Sequence, residues 1–188
     1  MKSQTVAARS TAALLTAAAC LSVTPVYAGE QIFDELRFGA SASVQNGGEH
    51  EDGVFPEVSV FFDPFGQDAA TGWRQQLARP RINLGTSIGT SGQATQLYAG
   101  FSWTANFNEK LFAEAGFGGV WHNGELEGNN DGPDLGCRFL FREYLGAGYR
   151  FSQHWNLIAQ VAHSSHANLC EGPNNGMTRA GLQVGYKF

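Results

Sequence analysis

The stretch richest in chemistry is VAHSSHANLC, Val161 to Cys170, which sets His163, Ser164, Ser165 and His166 in a row. A serine hydroxyl is a weak nucleophile until a neighbouring base takes its proton, and histidine is the usual base. A third group, usually a carboxylate, orients that base through its other ring nitrogen. Hydrogen-bond donors must also face the oxygen of the tetrahedral intermediate. Which of the four side chains can meet depends on the element that carries them. On a strand, side chains alternate with period two. His163 and Ser165 then share one face, and Ser164 and His166 face the other way or open a loop. The two histidines would point apart and could not chelate one ion, so no metal is expected. The competing assignment is plain rim polarity, where a strand end meets water.

The composition supports strands. The chain has 188 residues, enough for one domain, with 24 glycines, 12% aromatic residues and only 15% charged residues. The net charge of −5 offers no basic patch for nucleic acid. Residues 1–28 read as a secretory signal: Lys2 and Arg9 lead, TAALLTAAACLSV forms the apolar centre, and VYA precedes a cleavage expected after Ala28. Removing that segment takes Cys20 with it. Cys137 and Cys170 are left as an even pair in an exported protein, where a disulfide is expected and two free thiols are the alternative.

Residues 29–188 show no helix-period segment of any length, but eight alternating segments broken by turns. LRFGASASV aligns Leu36, Phe38, Ala40 and Ala42, and VFPEVSVFF aligns Val58, Val60 and Phe62. RINLGTSIG, QLYAGFSWT and KLFAEAGFGGVW follow. CRFLFREYLGAGYRF puts Phe139, Phe141, Leu145, Ala147 and Tyr149 opposite Arg138, Arg142, Tyr144 and Arg150. HWNLIAQVAHSS and TRAGLQVGYKF complete the set. The expected fold is all-β: an eight-stranded antiparallel transmembrane β-barrel of the outer membrane, apolar toward lipid and polar toward a tight lumen. A soluble barrel with the faces exchanged has the same alternation. The signal segment, the glycines and arginines gathered on one face, and the final Phe188 favour the membrane. Long polar loops at 45–53, 122–136 and 166–177 would face outward and short turns at NFNEK and FSQH inward; DPFGQDAATGWRQQLARP is long for such a turn, and the pattern leaves open whether it forms a short helix.

HSSHANL followed by PNNG resembles the PagL-type lipid A 3-O-deacylases, whose signature is roughly H-x-S-N-A and then N-[DE]-G-x-[DE]. LFREYLGAGYRF and GLQVGYKF are similar to the same family's C-terminal part. The resemblance implies an outer-membrane esterase that hydrolyses the 3-position of lipid A without metal or cofactor. Its partners would be lipopolysaccharide and the outer membrane, and a homodimer is left open. It implies that His163 is the base and Ser165 the nucleophile. Two positions depart: the asparagine after the serine is His166, and the family's acid position falls on Thr178, which carries no charge. His166 and the backbone N–H groups of Ala167 and Asn168 are the oxyanion candidates. Pairing Phe141 with His163 would set Glu143 opposite Val161, a diagonal neighbour of His163 roughly 7–8 Å away. Glu143 is therefore a candidate acid, with Glu171 a second. Cys137 and Cys170 would lie at the same rim, where a bridge pins the catalytic loop. Two other functions fit the barrel: a catalytically impaired relative acting as a structural or adhesion barrel, and a carrier of hydrophobic compounds.

Overall fold

A computed structural model describes residues 32–128 and 132–188. The expected signal segment lies outside the described residues. The eight strands are β1 (Phe33–Ser43), β2 (Phe55–Phe62), β3 (Arg81–Ser87), β4 (Gln96–Asn106), β5 (Leu111–His122), β6 (Phe139–Arg150), β7 (Trp155–Ser165) and β8 (Met177–Lys187). Each pairs antiparallel with its neighbours, and β8 closes on β1. Closure leaves no open sheet edge, which is what a wall in hydrocarbon requires. Among the described residues one α-helix, α1 (Trp73–Ala78), lies in the β2–β3 connection, which settles the point the sequence left open there. Connections alternate: 63–80, 107–110 and 151–154 lie at one end, and 44–54, 88–95, 123–128 with 132–138, and 166–176 at the other.

Alternation sorts the side chains. Phe38, Leu97, Phe117, Phe139, Leu145 and Leu182 are exposed on the outer wall, while Arg37, Glu114, Arg142, Gln160 and Gln183 are buried inside. This inversion of the usual soluble pattern is the one a lipid-facing barrel needs. Space inside is made by pairing small with large: Gly116 pairs with Tyr144, and a methyl on Gly116 would collide with the Tyr144 ring.

The lumen is held by ions. Arg37 donates to Glu114 at 2.7 and 2.8 Å and to Glu35 at 2.8 and 2.9 Å. Arg81 bonds Asp34 at 2.7 Å and Glu35 at 2.9 Å, and also pairs with Glu114. Tyr144 and Asn156 add hydrogen bonds to Glu114 and Glu35 at 2.9 and 2.8 Å. Both guanidinium groups stack on Phe61, at 3.9 and 4.7 Å. A register shift between Phe33 and Glu35 lets consecutive residues Asp34 and Glu35 both turn inward. Nearer the long loops, Arg179 pairs with Glu51 at 2.7 and 3.0 Å and with Ser87 at 2.9 Å. Beside that pair, Ala94, Tyr98, Val120, Leu135, Leu140 and Met177 form a small apolar core.

Breaking a buried pair from one side strands the other charge, at a cost of about 3–5 kcal/mol. Glu114→Leu, which takes the carboxylate from both Arg37 and Arg81, is therefore expected to lower stability by about that amount. Urea unfolding of the barrel in phospholipid vesicles measures it, and an unchanged midpoint would show that the cluster does not hold the lumen.

Candidate active site

The expected face assignment holds in β7. Trp155, Leu157, Ala159 and Val161 are exposed, Asn156, Ile158, Gln160 and Ser164 are buried, and His163 and Ser165 are half-buried on the outer side. The expected register is off by two residues. Phe141 pairs with Ser165, and Glu143 pairs with His163 itself rather than with Val161. The turn at 151–154 sets this offset: Phe151 and Ser152 donate to Trp155 O, so β7 begins at Trp155. On the other side His163 pairs with Thr178. Three outward side chains, Glu143, His163 and Thr178, thus form a row across β6, β7 and β8.

Within that row the imidazole is held from one side. Nδ1 of His163 lies 2.8 Å from Oγ1 of Thr178. Glu143 has no hydrogen bond or ion pair among the described residues. Gly176, at the end of the β7–β8 loop, packs on the ring: a methyl there would lie 2.8 Å from His163 Cε1 and 3.0 Å from Ser164 O. Its φ of 68° adds a second reason for glycine at that position.

Beyond Ser165 the chain turns sharply. Ala167 and Asn168 have φ of 50° and 59°, the only non-glycine residues with positive φ among those described. A left-handed alanine costs energy that the surroundings must offset, and such residues gather at functional sites. The surroundings here are plain. His166 turns inward and is 2% exposed. Its Nε2 donates to Pro173 O at 3.0 Å, its Nδ1 accepts from Cys170 N–H at 3.4 Å, and its own N–H donates to Asn174 Oδ1 at 3.1 Å. Both ring nitrogens of His166 are thus used inside the loop. The N–H groups of Ala167 and Asn168 have no acceptor among the described residues.

A disulfide joins Cys137 to Cys170, with Cα atoms 6.2 Å apart, and ties the β5–β6 connection to the β7–β8 loop. Cys137 stands two residues before β6, not at its first position. Cys137, His166 and Cys170 place three ligand-type atoms within 4.8 Å of one another. With the sulfurs bonded to each other and the imidazole engaged, the three act as a clip on the loop. Glu171 is exposed in the same loop, outside the row.

The model of the family described as lipid A 3-O-deacylase (PagL) matches residues 37–187, nearly the whole barrel. The chain belongs to the PagL family. Membership makes it an outer-membrane barrel and a lipid A deacylase. The crystal structure of the outer-membrane enzyme PagL superposes with a TM-score of 0.61 at 19% identity, covering 82% of this chain and 99% of that one. The N-terminal β-barrel domain of Pseudomonas aeruginosa OprF gives 0.54 at 13% identity, covering 84% and 98%. These likenesses show the fold. No curated protein sequence matches the chain.

Strand parity singled out His163 and Ser165, and the family resemblance pointed to Thr178, but neither showed what braces them. Gly176 was visible only as part of PNNG, a turn signal. Its contact with the imidazole makes a sharp expectation. Gly176→Ala should displace the ring and lower lipid A deacylation by about tenfold or more, while the barrel keeps its heat-modifiable migration on gels. Full activity in that variant would mean that the ring is not held from this side.

Proposed function

We propose that the chain hydrolyses the 3-O-linked acyl ester of lipid A in the outer leaflet, releasing a 3-hydroxy fatty acid, with Ser165 as nucleophile and His163 as base. The observation that carries this is the 2.8 Å contact between His163 Nδ1 and Thr178 Oγ1. In the tautomer whose Nδ1–H donates to that hydroxyl, Nε2 is unprotonated and can act as the base; no hydrogen bond joins His163 to Ser165 among the described residues, so the two meet only when the ester is bound. The same outward face carries exposed Phe141, Val161 and Leu145, so an acyl chain reaching Ser165 from the leaflet meets apolar wall.

The chemistry runs in two halves. Ser165 Oγ attacks the ester carbonyl while His163 Nε2 takes its proton. The oxygen of the tetrahedral intermediate is received by the N–H groups of Ala167 and Asn168, which the left-handed turn leaves unpaired. His163 then returns the proton to the departing sugar oxygen, leaving an acyl-serine. Water, deprotonated by the same imidazole, attacks that ester; the bond to Ser165 Oγ breaks, the imidazolium returns the proton to Oγ, and the fatty acid leaves. His166 serves this scheme through its loop contacts rather than its ring N–H. Thr178 stands at the family's acid position and fixes the tautomer by a neutral hydrogen bond. Glu143, paired with His163, adds negative charge beside the imidazolium without touching it. Lipopolysaccharide is the partner this assigns, with no metal or cofactor in any step.

Mass spectrometry of lipid A from cells expressing the wild type and Ser165→Ala tests the assignment. The wild type should lose one 3-hydroxyacyl chain and the variant none. Thr178→Val should slow release by about tenfold or more, and Glu143→Gln by less, because charge without contact contributes less than an orienting hydrogen bond. Intact lipid A in wild-type cells would sink the deacylase and favour a structural barrel. Release by Ser165→Ala would remove the serine from its role.

A further inference from the structure

His163 meets the exit of the β7–β8 loop at two places, the Thr178 hydroxyl and the face of Gly176. Both are fixed by one side chain from the opposite end of the sequence. Gln45, in the β1–β2 loop, accepts the N–H of Thr178 on Oε1 at 2.8 Å. Its Nε2 donates to Gly176 O at 3.2 Å and Asn175 O at 3.3 Å. The amide therefore brackets residues 175–178, with acceptor and donors on the correct sides and half-buried from water.

Gln45 is itself anchored. Val44 N–H donates to Thr178 O at 3.0 Å, prolonging the β1–β8 ladder by one residue. His50 Nδ1 donates to Gln45 O at 2.9 Å, and the neighbouring Glu49 accepts from Asn175 Nδ2 at 2.8 Å. The β1–β2 loop thus grips the far end of the loop that carries the proposed oxyanion donors. At its near end the Cys137–Cys170 bridge does the same.

We infer that Gln45 is a positioning residue of the deacylase: it sets the orientation and tautomer of His163 by holding Thr178 and Gly176, and touches no substrate. This rests on the assignment of His163 as the base. Acting through Thr178, it predicts coupling. Two residues that serve one hydrogen bond should not show additive losses, whereas independent structural roles multiply.

The test uses the full barrel in detergent micelles and reads two things. One is the rate of 3-hydroxy fatty acid release from lipid A. The other is the nitrogen-resolved NMR signal of the His163 imidazole, which reports whether Nδ1 carries a protected proton. Gln45→Leu should lower kcat by about tenfold with KM within about twofold, and should lose the protected Nδ1–H signal as Thr178→Val does. The double variant should be no slower than the slower single. Gln45→Glu, which keeps the acceptor but turns charge toward two carbonyls, should show the same effects more weakly and covers the case in which the leucine variant does not fold. Asn46→Ala, an exposed neighbour without these contacts, is the control and should match the wild type. A wild-type imidazole signal in Gln45→Leu and Gln45→Glu, or losses that multiply in the double variant, would overturn the inference. If the wild type itself releases no fatty acid, the deacylase assignment fails, and the NMR signal still decides whether Gln45 positions His163.

Discussion

Arg37 and Glu114 grip each other across the lumen with two hydrogen bonds, from β1 and β5, opposite walls of an eight-stranded ring. Arg37 also holds Glu35, and Glu114 also holds Arg81. The outer wall is surrendered to lipid, so charged side chains of the strands' inner faces must find partners inside: counterions for most, Ser41 and Gln183 for Glu57, and the rings of Tyr98 and Tyr144 for Arg142. Two arginines stacked on Phe61 and three carboxylates from β1 and β5 satisfy that demand, and Tyr144 and Asn156 draw β6 and β7 into the same network. Those two strands carry Glu143 and His163 on their other faces. A wall cross-braced from within keeps fixed spacing on its outside, and the proposed catalytic row depends on that spacing.

The site divides between a rigid part and a clipped part. β7 and β8 supply His163 and Thr178, whose relation is a ladder pairing that cannot drift without unzipping the sheet. The turn proposed to bind the oxyanion lies in a loop, where geometry has to be imposed. It is imposed from below by the buried His166 ring and Asn174, from the side by the disulfide, and at its exit by Gln45. Replacing the family's asparagine by His166 is coherent in this light. The residue after Ser165 points into the barrel mouth, where a ring with a donor and an acceptor can tie the loop to itself while the backbone N–H groups that follow stay open.

Period-two alternation made much of this legible in the sequence. The eight strands, the outward faces of His163 and Ser165 and the placement of long and short connections follow from apolar residues at every second position, because only closure with lipid outside reconciles them with buried arginines. Register was less legible. Shifting β6 against β7 by two residues preserves every face, so alternation cannot distinguish Glu143 opposite Val161 from Glu143 opposite His163. Only the hydrogen bonding of the turn at 151–154 fixes it. The inward pair Asp34 and Glu35 was hidden for a related reason: a bulge breaks the alternation it would be read from. Gln45 carried no signal at all, since a glutamine in a polar loop is unremarkable until the closing of β1 on β8 brings it to Thr178.

The threonine at the acid position changes what the third member of the proposed triad can do. A carboxylate beside a catalytic imidazole both orients the ring and stabilises the imidazolium by charge. Thr178 does the first alone. In the proposed mechanism the second falls to Glu143, one strand away on the opposite flank of His163. Paired side chains on one sheet face stand about 4.5–5.5 Å apart at Cβ. At that range a charge is weak in water but several times stronger where lipid replaces water on one side. An unpaired carboxylate on a lipid-facing wall is costly unless it has such a counterion to serve, and an imidazolium that forms only during turnover is one. Orientation and charge, carried elsewhere by one group, would then come from two strands that bracket the base. The arrangement works only if the neutral partner is held still, because a hydroxyl rotates freely where a carboxylate attracts from any angle. Gln45 meets part of that need: by holding the Thr178 N–H it fixes the backbone from which the hydroxyl reaches His163.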